Sequence, residues 1–244
     1  MLPTPTGLPR SEGATTQALL KFLSVVLLLA ASLVSGSAIG RAADGEPCPN
    51  VEVIFARGTL EPPGVGATGE AFTDALNSRL GNSPAVVYPV DYPASLDFNQ
   101  AGAGVSDAAN KVLDVVNTCP TTKMVIGGYS QGAAIAAYIT ADRVPPDYDL
   151  PAGITGPLPP NVARHVKAVV LFGKPSSGFL NLVDRSAPPI NIGPLYASKT
   201  IDLCAPEDPV CTTGGGFSRA AHSAYKSNGM ADQAADFAAK ELGR

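Results

Sequence analysis

Runs of apolar and small residues recur along the chain at Val51-Glu52-Val53-Ile54-Phe55-Ala56, Ala85-Val86-Val87-Tyr88-Pro89-Val90, Met124-Val125-Ile126-Gly127-Gly128 and Lys167-Ala168-Val169-Val170-Leu171-Phe172. Each reads as a strand. The last is so nearly continuous in apolar residues that it predicts burial on both faces. A shorter strand is expected at 199–203. Between these runs the apolar period changes from two to 3.6. Residues 68–80 place Phe72, Ala75, Leu76 and Leu80 on one face, and 102–117 do the same with Val105, Ala109, Val112, Val115 and Val116. A C-terminal helix is expected over 220–242. Strands alternating with helices imply parallel strands joined by helical crossovers. The stretch 143–160 is dense in Pro and Gly, which predicts an irregular surface loop too short to supply a helical lid.

The third strand runs into Gly128-Tyr129-Ser130-Gln131-Gly132, and a run of small, helix-compatible residues begins at Ala133. Gly-x-Ser-x-Gly between strand and helix is the signature of a nucleophile elbow. So tight a turn requires glycine-sized residues two before and two after the serine. Otherwise their side chains would meet the neighbouring strand and helix. Ser130 is then presented at the carboxyl edge of the sheet, where a helix N-terminus favours developing negative charge.

A serine hydroxyl needs a base within hydrogen-bond reach, and that base needs a carboxylate to orient it. The chain has only two histidines. His165 precedes the strand at 167–172, which puts it at the amino end, opposite the nucleophile. His222 lies downstream of several acids and satisfies the order serine, acid, histidine expected of an α/β-hydrolase. The acids between them near His222 are Asp202, Glu207 and Asp208. An oxyanion hole needs the amide of the residue after the serine, Gln131, and a second donor from the loop after the first strand. There Arg57-Gly58-Thr59 offers the amide and hydroxyl of Thr59.

Charged residues make up only 16% of the 244 residues, the formal net charge is -4, and no Lys/Arg cluster occurs. This argues against a nucleic-acid partner. Lys21 precedes an uncharged run of 19 residues at 22–40 that ends in small residues, the pattern of a secretory signal peptide. An uncleaved membrane anchor is the competing reading. Residues 1–43 are therefore expected to be leader and linker, and 44–244 a single catalytic domain. Four cysteines in an exported chain imply two disulfides. The closeness of Cys204 and Cys211 favours a local pair, leaving Cys48 with Cys119. Zinc is disfavoured by the lack of any Cys-x-x-Cys and the scarcity of histidine.

Several features occur in order: Phe-Ala-Arg-Gly-Thr at 55–59, Tyr92-Pro93-Ala94, Gly-Tyr-Ser-Gln-Gly-Ala at 128–133, Cys-x6-Cys enclosing Asp208, and His222-x-x-Tyr225. Together they resemble the cutinases and cutinase-like serine esterases, including a secreted mycobacterial branch and the related acetylxylan esterases. The resemblance implies an α/β-hydrolase fold, a three-layer sandwich around a mostly parallel sheet of about five strands, without a lid domain. It implies Ser130, Asp208 and His222 as the triad, Thr59 and Gln131 as the oxyanion-hole residues, and disulfides Cys48 to Cys119 and Cys204 to Cys211. The expected protein is a secreted monomeric esterase acting on short to medium acyl chains of a lipid, polyester or acylated polymer, with no metal or organic cofactor. An acetylxylan esterase or phospholipase on the same scaffold is the alternative within enzymes. A non-catalytic secreted surface or antigenic binding protein is the alternative outside them. Val210 and Phe217 are expected as apolar walls of the crevice.

Overall fold

The computed structural model describes residues 47–145, 149–213 and 217–244. The expected leader and linker at 1–43 lie outside the described residues. In chain order the elements are β1 (Val51–Ala56), α1 (Gly66–Leu80), β2 (Val86–Pro89), α2 (Ala101–Thr118), β3 (Lys123–Tyr129) and α3 (Gln131–Ile139). There follow β4 (Val166–Phe172), α4 (Ser177–Val183), α5 (Pro194–Ala197), β5 (Thr200–Leu203), α6 (Arg219–His222) and α7 (Met230–Glu241). The five strands form one sheet in the order β2-β1-β3-β4-β5. Every neighbouring pair is parallel.

Alternation along β1 explains the layering, because successive side chains of a strand point to opposite faces. Val53 and Phe55 pack with Phe72 and Leu76 of α1 and with Ala234 and Ala238 of α7. Ile54 and Ala56 pack on the other face with Val112 of α2 and with Ala133 and Ile135 of α3. The sheet is thus covered on both sides, and the continuous apolar runs follow from that. Glu52 is the one charged residue of β1; only 4% exposed, it is neutralised by Lys111 Nζ of α2 at 2.8 Å.

The α/β-hydrolase architecture is as expected, with the sheet entirely parallel. Two disulfides, Cys48–Cys119 and Cys204–Cys211, cross-link the chain. The described residues of 143–159 contain no helix or strand. One element differs from expectation: 220–242 is not a single helix but the short α6 and the longer α7. Residues 223–229, ending in Ser227-Asn228-Gly229, interrupt it. Gly229 takes a left-handed φ of 85°, and the Asn228 side chain accepts from the Met230 amide, which starts a new helix. The break frees His222 to sit at the end of one helical turn, facing β3. Among the described residues, no helix is long and apolar enough to cross a membrane.

Candidate active site

Ser130 sits between β3 and α3 with φ 55° and ψ -117°, a conformation a side-chain-bearing residue rarely adopts. The neighbouring glycines make it feasible. A Cβ on Gly128 would collide with the Gly132 carbonyl, and one on Gly132 with the Ala56 carbonyl of β1. The requirement for glycine on both sides of the serine is therefore steric, and the obstructing atoms are backbone that cannot move aside.

Ser130 Oγ lies 2.9 Å from His222 Nε2, and His222 Nδ1 lies 2.8 Å from Asp208 Oδ2. Asp208 is fully buried. Its Oδ1 accepts from the Val210 amide at 2.8 Å, and its Oδ2 accepts from the Tyr225 hydroxyl at 2.5 Å. Burial alone pushes this carboxyl up, but the hydrogen bonds from His222, Tyr225 and the Val210 amide outweigh it and hold Asp208 below its ordinary value. The acid is therefore an anion poised on the imidazole. Gly173, with φ 57°, lets β4 end this close: a Cβ there would press on Asp208, Tyr225 and His222 together.

The other acids stand elsewhere. Asp202 is exposed and pairs with Lys174 at 3.3 Å, and Glu207 points to solvent. His165 lies at the amino end of β4, at the far edge of the sheet from Ser130, where Arg164 Nε donates to its Nε2 at 3.1 Å. Burial and the charges of Arg164 and Lys167 hold its imidazole below the usual histidine value. It is a neutral, structurally engaged histidine.

Thr59 and Gln131 both border the crevice beside Ser130. The Thr59 hydroxyl is 3.5 Å from Gln131 Oε1, a contact too long to restrain it strongly. Gln131 opens α3, where the first amides of a helix have no partner within it. The loop carrying Thr59 is pinned by side chains that sequence reasoning did not assign a role. Arg57, 4% exposed, donates to the carbonyls of Glu61 at 2.9 Å and Tyr92 at 2.5 Å. The Tyr92 hydroxyl returns a bond to the Arg57 carbonyl at 2.6 Å, and the Glu61 carboxylate receives the amides of Gly58 and Ala67. A lone arginine directly after an apolar strand was the available signal. Tyr129 is the other: its ring lies 5.0 Å from that of His222, and its hydroxyl donates to the His222 carbonyl at 2.7 Å.

The crevice over Ser130 is a cavity of about 270 Å³. Its walls are Leu96 and Phe98 from the segment before α2, Phe179, Leu180 and Val183 from α4, and Val210. Val210 stands where it was expected. Phe217 does not: it is 95% exposed and contributes nothing to the wall. The α4 residues take its place, and the mixed sequence Ser177-Gly178-Phe179-Leu180-Asn181 gave little periodicity to reveal them. Among the described residues no three His, Cys, Asp or Glu side chains converge as metal ligands would.

A family model for cutinase matches residues 47–242. Among curated proteins, the chain is 45% identical over 229 residues to Carboxylesterase Culp1 of Mycobacterium tuberculosis, covering 93% of this chain and 98% of the relative. It is 38% identical over 221 residues to Phospholipase Culp4 of the same organism, covering 91% of this chain and 88% of that one. Among solved structures, Trichoderma reesei cutinase in complex with a C11Y4 phosphonate inhibitor aligns with TM-score 0.59 at 31% identity over 81% of this chain and 78% of that one. An acetyl xylan esterase aligns with TM-score 0.65 at 25% identity, covering 81% of this chain and all of the other. With the model match running almost the length of the described fold, and a relative at 45% identity over nearly all of both chains, this chain belongs to the cutinase family of carboxylic ester hydrolases.

Proposed function

We propose that this chain is a secreted serine esterase that works through an acyl-enzyme on Ser130. The observation carrying this is the continuous relay from buried Asp208 through His222 to Ser130, at 2.8 and 2.9 Å, opening onto an apolar crevice. Ser130 Oγ attacks the ester carbonyl while His222 Nε2 takes its proton. His222 then hands that proton to the departing alcohol. Water repeats the sequence on the acyl-enzyme and releases the acid. Asp208 holds the Nδ1–H and balances the imidazolium that forms. The Gln131 amide, with the amide and hydroxyl of Thr59, receives the negative charge on the tetrahedral oxygen.

The crevice walls favour esters of apolar acyl chains. An acetyl group would leave Leu96, Phe98, Phe179 and Val183 facing water, whereas a longer chain covers them. The domain is read as 44–244 and the export signal as the leader at 1–43. Support for export comes from the uncharged run at 22–40 and from two disulfides, cross-links that persist in oxidising compartments. The site is assembled within one chain, in keeping with a monomer. The test is fluorophosphonate labelling together with p-nitrophenyl butyrate hydrolysis in the wild type and in Ser130→Ala. Labelling should vanish and turnover should fall by about 10³-fold or more in the variant. Labelling retained at another serine, or an unlabelled wild type, would overturn the assignment and favour a binding protein on a hydrolase scaffold.

A further inference from the structure

A second, larger cavity of about 560 Å³ adjoins the catalytic crevice, and Tyr138 of α3 borders both. Three separate segments run from one cavity into the other. On α2, Ala101 lines the crevice, while Val105 and Ala109, one and two turns further along the same face, line the larger cavity. On α3, Ala134 lines the crevice and Tyr138, one turn on, stands at the boundary. Before α5, Ala187 lines the crevice and Pro188 the cavity. The Tyr138 hydroxyl donates to the Pro188 carbonyl at 2.7 Å, so its ring is held at this boundary. Ile154, Leu158 and Ile192 complete the far wall. The charged residues lining the cavity, Asp142 and Arg143, are paired with each other at 3.5 Å and are both substantially exposed.

We propose that the larger cavity is the distal acyl-chain site of this esterase, so that it takes fatty acyl esters longer than the crevice alone can hold. This rests on the esterase reading above. The occupant is the acyl chain rather than the alcohol, because the alcohol leaves toward His222, the group that protonates it. His222 is backed by Tyr129 and Tyr225 in the α1 and α7 layer, whereas the route past Tyr138 follows the α2 and α3 layer on the opposite face of the sheet. A volume of this size falls within the range of ligand sites, and its apolar lining offers little to a polar headgroup.

The test is kcat/KM over a p-nitrophenyl ester series from butyrate to palmitate, in the wild type, Val105→Trp and Ile154→Glu. Val105→Trp fills the cavity next to the boundary. Ile154→Glu puts a charge in its far wall from a half-buried loop position, and it keeps the test alive should the bulky substitution on α2 prevent folding. Both should lower the ratio of palmitate to butyrate efficiency by about tenfold or more, since even one methylene in an apolar site is worth about that factor. Butyrate hydrolysis with an unmoved ratio, or activities that fall in step across all chain lengths, would overturn the distal site while leaving the esterase reading intact. A wild type inactive on every ester in the series, and unlabelled by fluorophosphonate, would overturn both.

Discussion

Tyr225→Phe removes a single oxygen from the fully buried side chain that supports Asp208. That oxygen donates to Asp208 Oδ2 at 2.5 Å and accepts from the Ala205 amide at 2.9 Å. Burial and the neighbouring Asp208 hold the phenol well above its ordinary range, so it remains a donor at every working pH. The variant therefore loses a hydrogen bond to a charged group and leaves a buried amide without this partner, for about 2 to 3 kcal/mol of stability at neutral pH. In a domain of this size that lowers Tm by roughly 5 to 10 °C. The penalty has a pH signature. Asp208 has a folded-state pKa depressed below its unfolded value, partly by the Tyr225 bond. Such a group contributes stability that is present above the unfolded pKa and lost as pH falls through the folded one. Without the phenol the depression shrinks, so the gap between wild type and variant should be full above about pH 5 and should narrow as Asp208 is protonated. Turnover on p-nitrophenyl butyrate should fall by about tenfold with KM little changed, because the carboxylate loses one of the contacts that fix it toward His222. Urea unfolding across the pH range, with kinetics at pH 7, checks both. A penalty independent of pH, or unchanged kcat, would refute Tyr225 as the residue that positions the acid.

His222→Ala should match Ser130→Ala in lost turnover, since a relay that has lost one member fails as a unit, whereas His165→Ala should leave catalysis nearly intact; an essential His165 in an ester assay would refute the site. The Cys48–Cys119 bridge closes a separation of 71 residues and should contribute about 4 kcal/mol, against about 2 kcal/mol for the separation of 7 at Cys204–Cys211. Because the small loop carries Asp208, replacing Cys204 and Cys211 by Ser should depress turnover out of proportion to its shift in Tm, and replacing the other pair should do the reverse. Turnover and melting measured on both double variants decide it, and full activity without the small loop's bridge would mean packing alone holds the acid.

Legibility in the sequence followed the periodicity of each segment. β1 and β4 were readable almost to the residue because burial on both faces makes them nearly continuous apolar runs, each with a single charged residue, Glu52 or Lys167, near its start. Gly128 and Gly132 were readable because the elbow's geometry forbids a Cβ at both places. Residues that act through tertiary contacts carried no such mark. Nothing local in Tyr129 tells that its ring lies beside His222, 93 positions away, and nothing in Phe179 or Val183 announces a crevice wall. The helix expected over 220–242 failed for a related reason. Alanine-rich segments satisfy helical propensity continuously, and the single left-handed turn at Gly229 is worth only about 1 kcal/mol against that background. Yet that turn separates two tasks that one straight helix could not perform together. Met230–Glu241 packs its alanines against the sheet, while Arg219–His222 turns its last residue toward Ser130. The chain gives up helix continuity where the histidine must leave the direction of the packing helix, so the least legible break in the sequence directly follows the histidine that bridges Asp208 and Ser130.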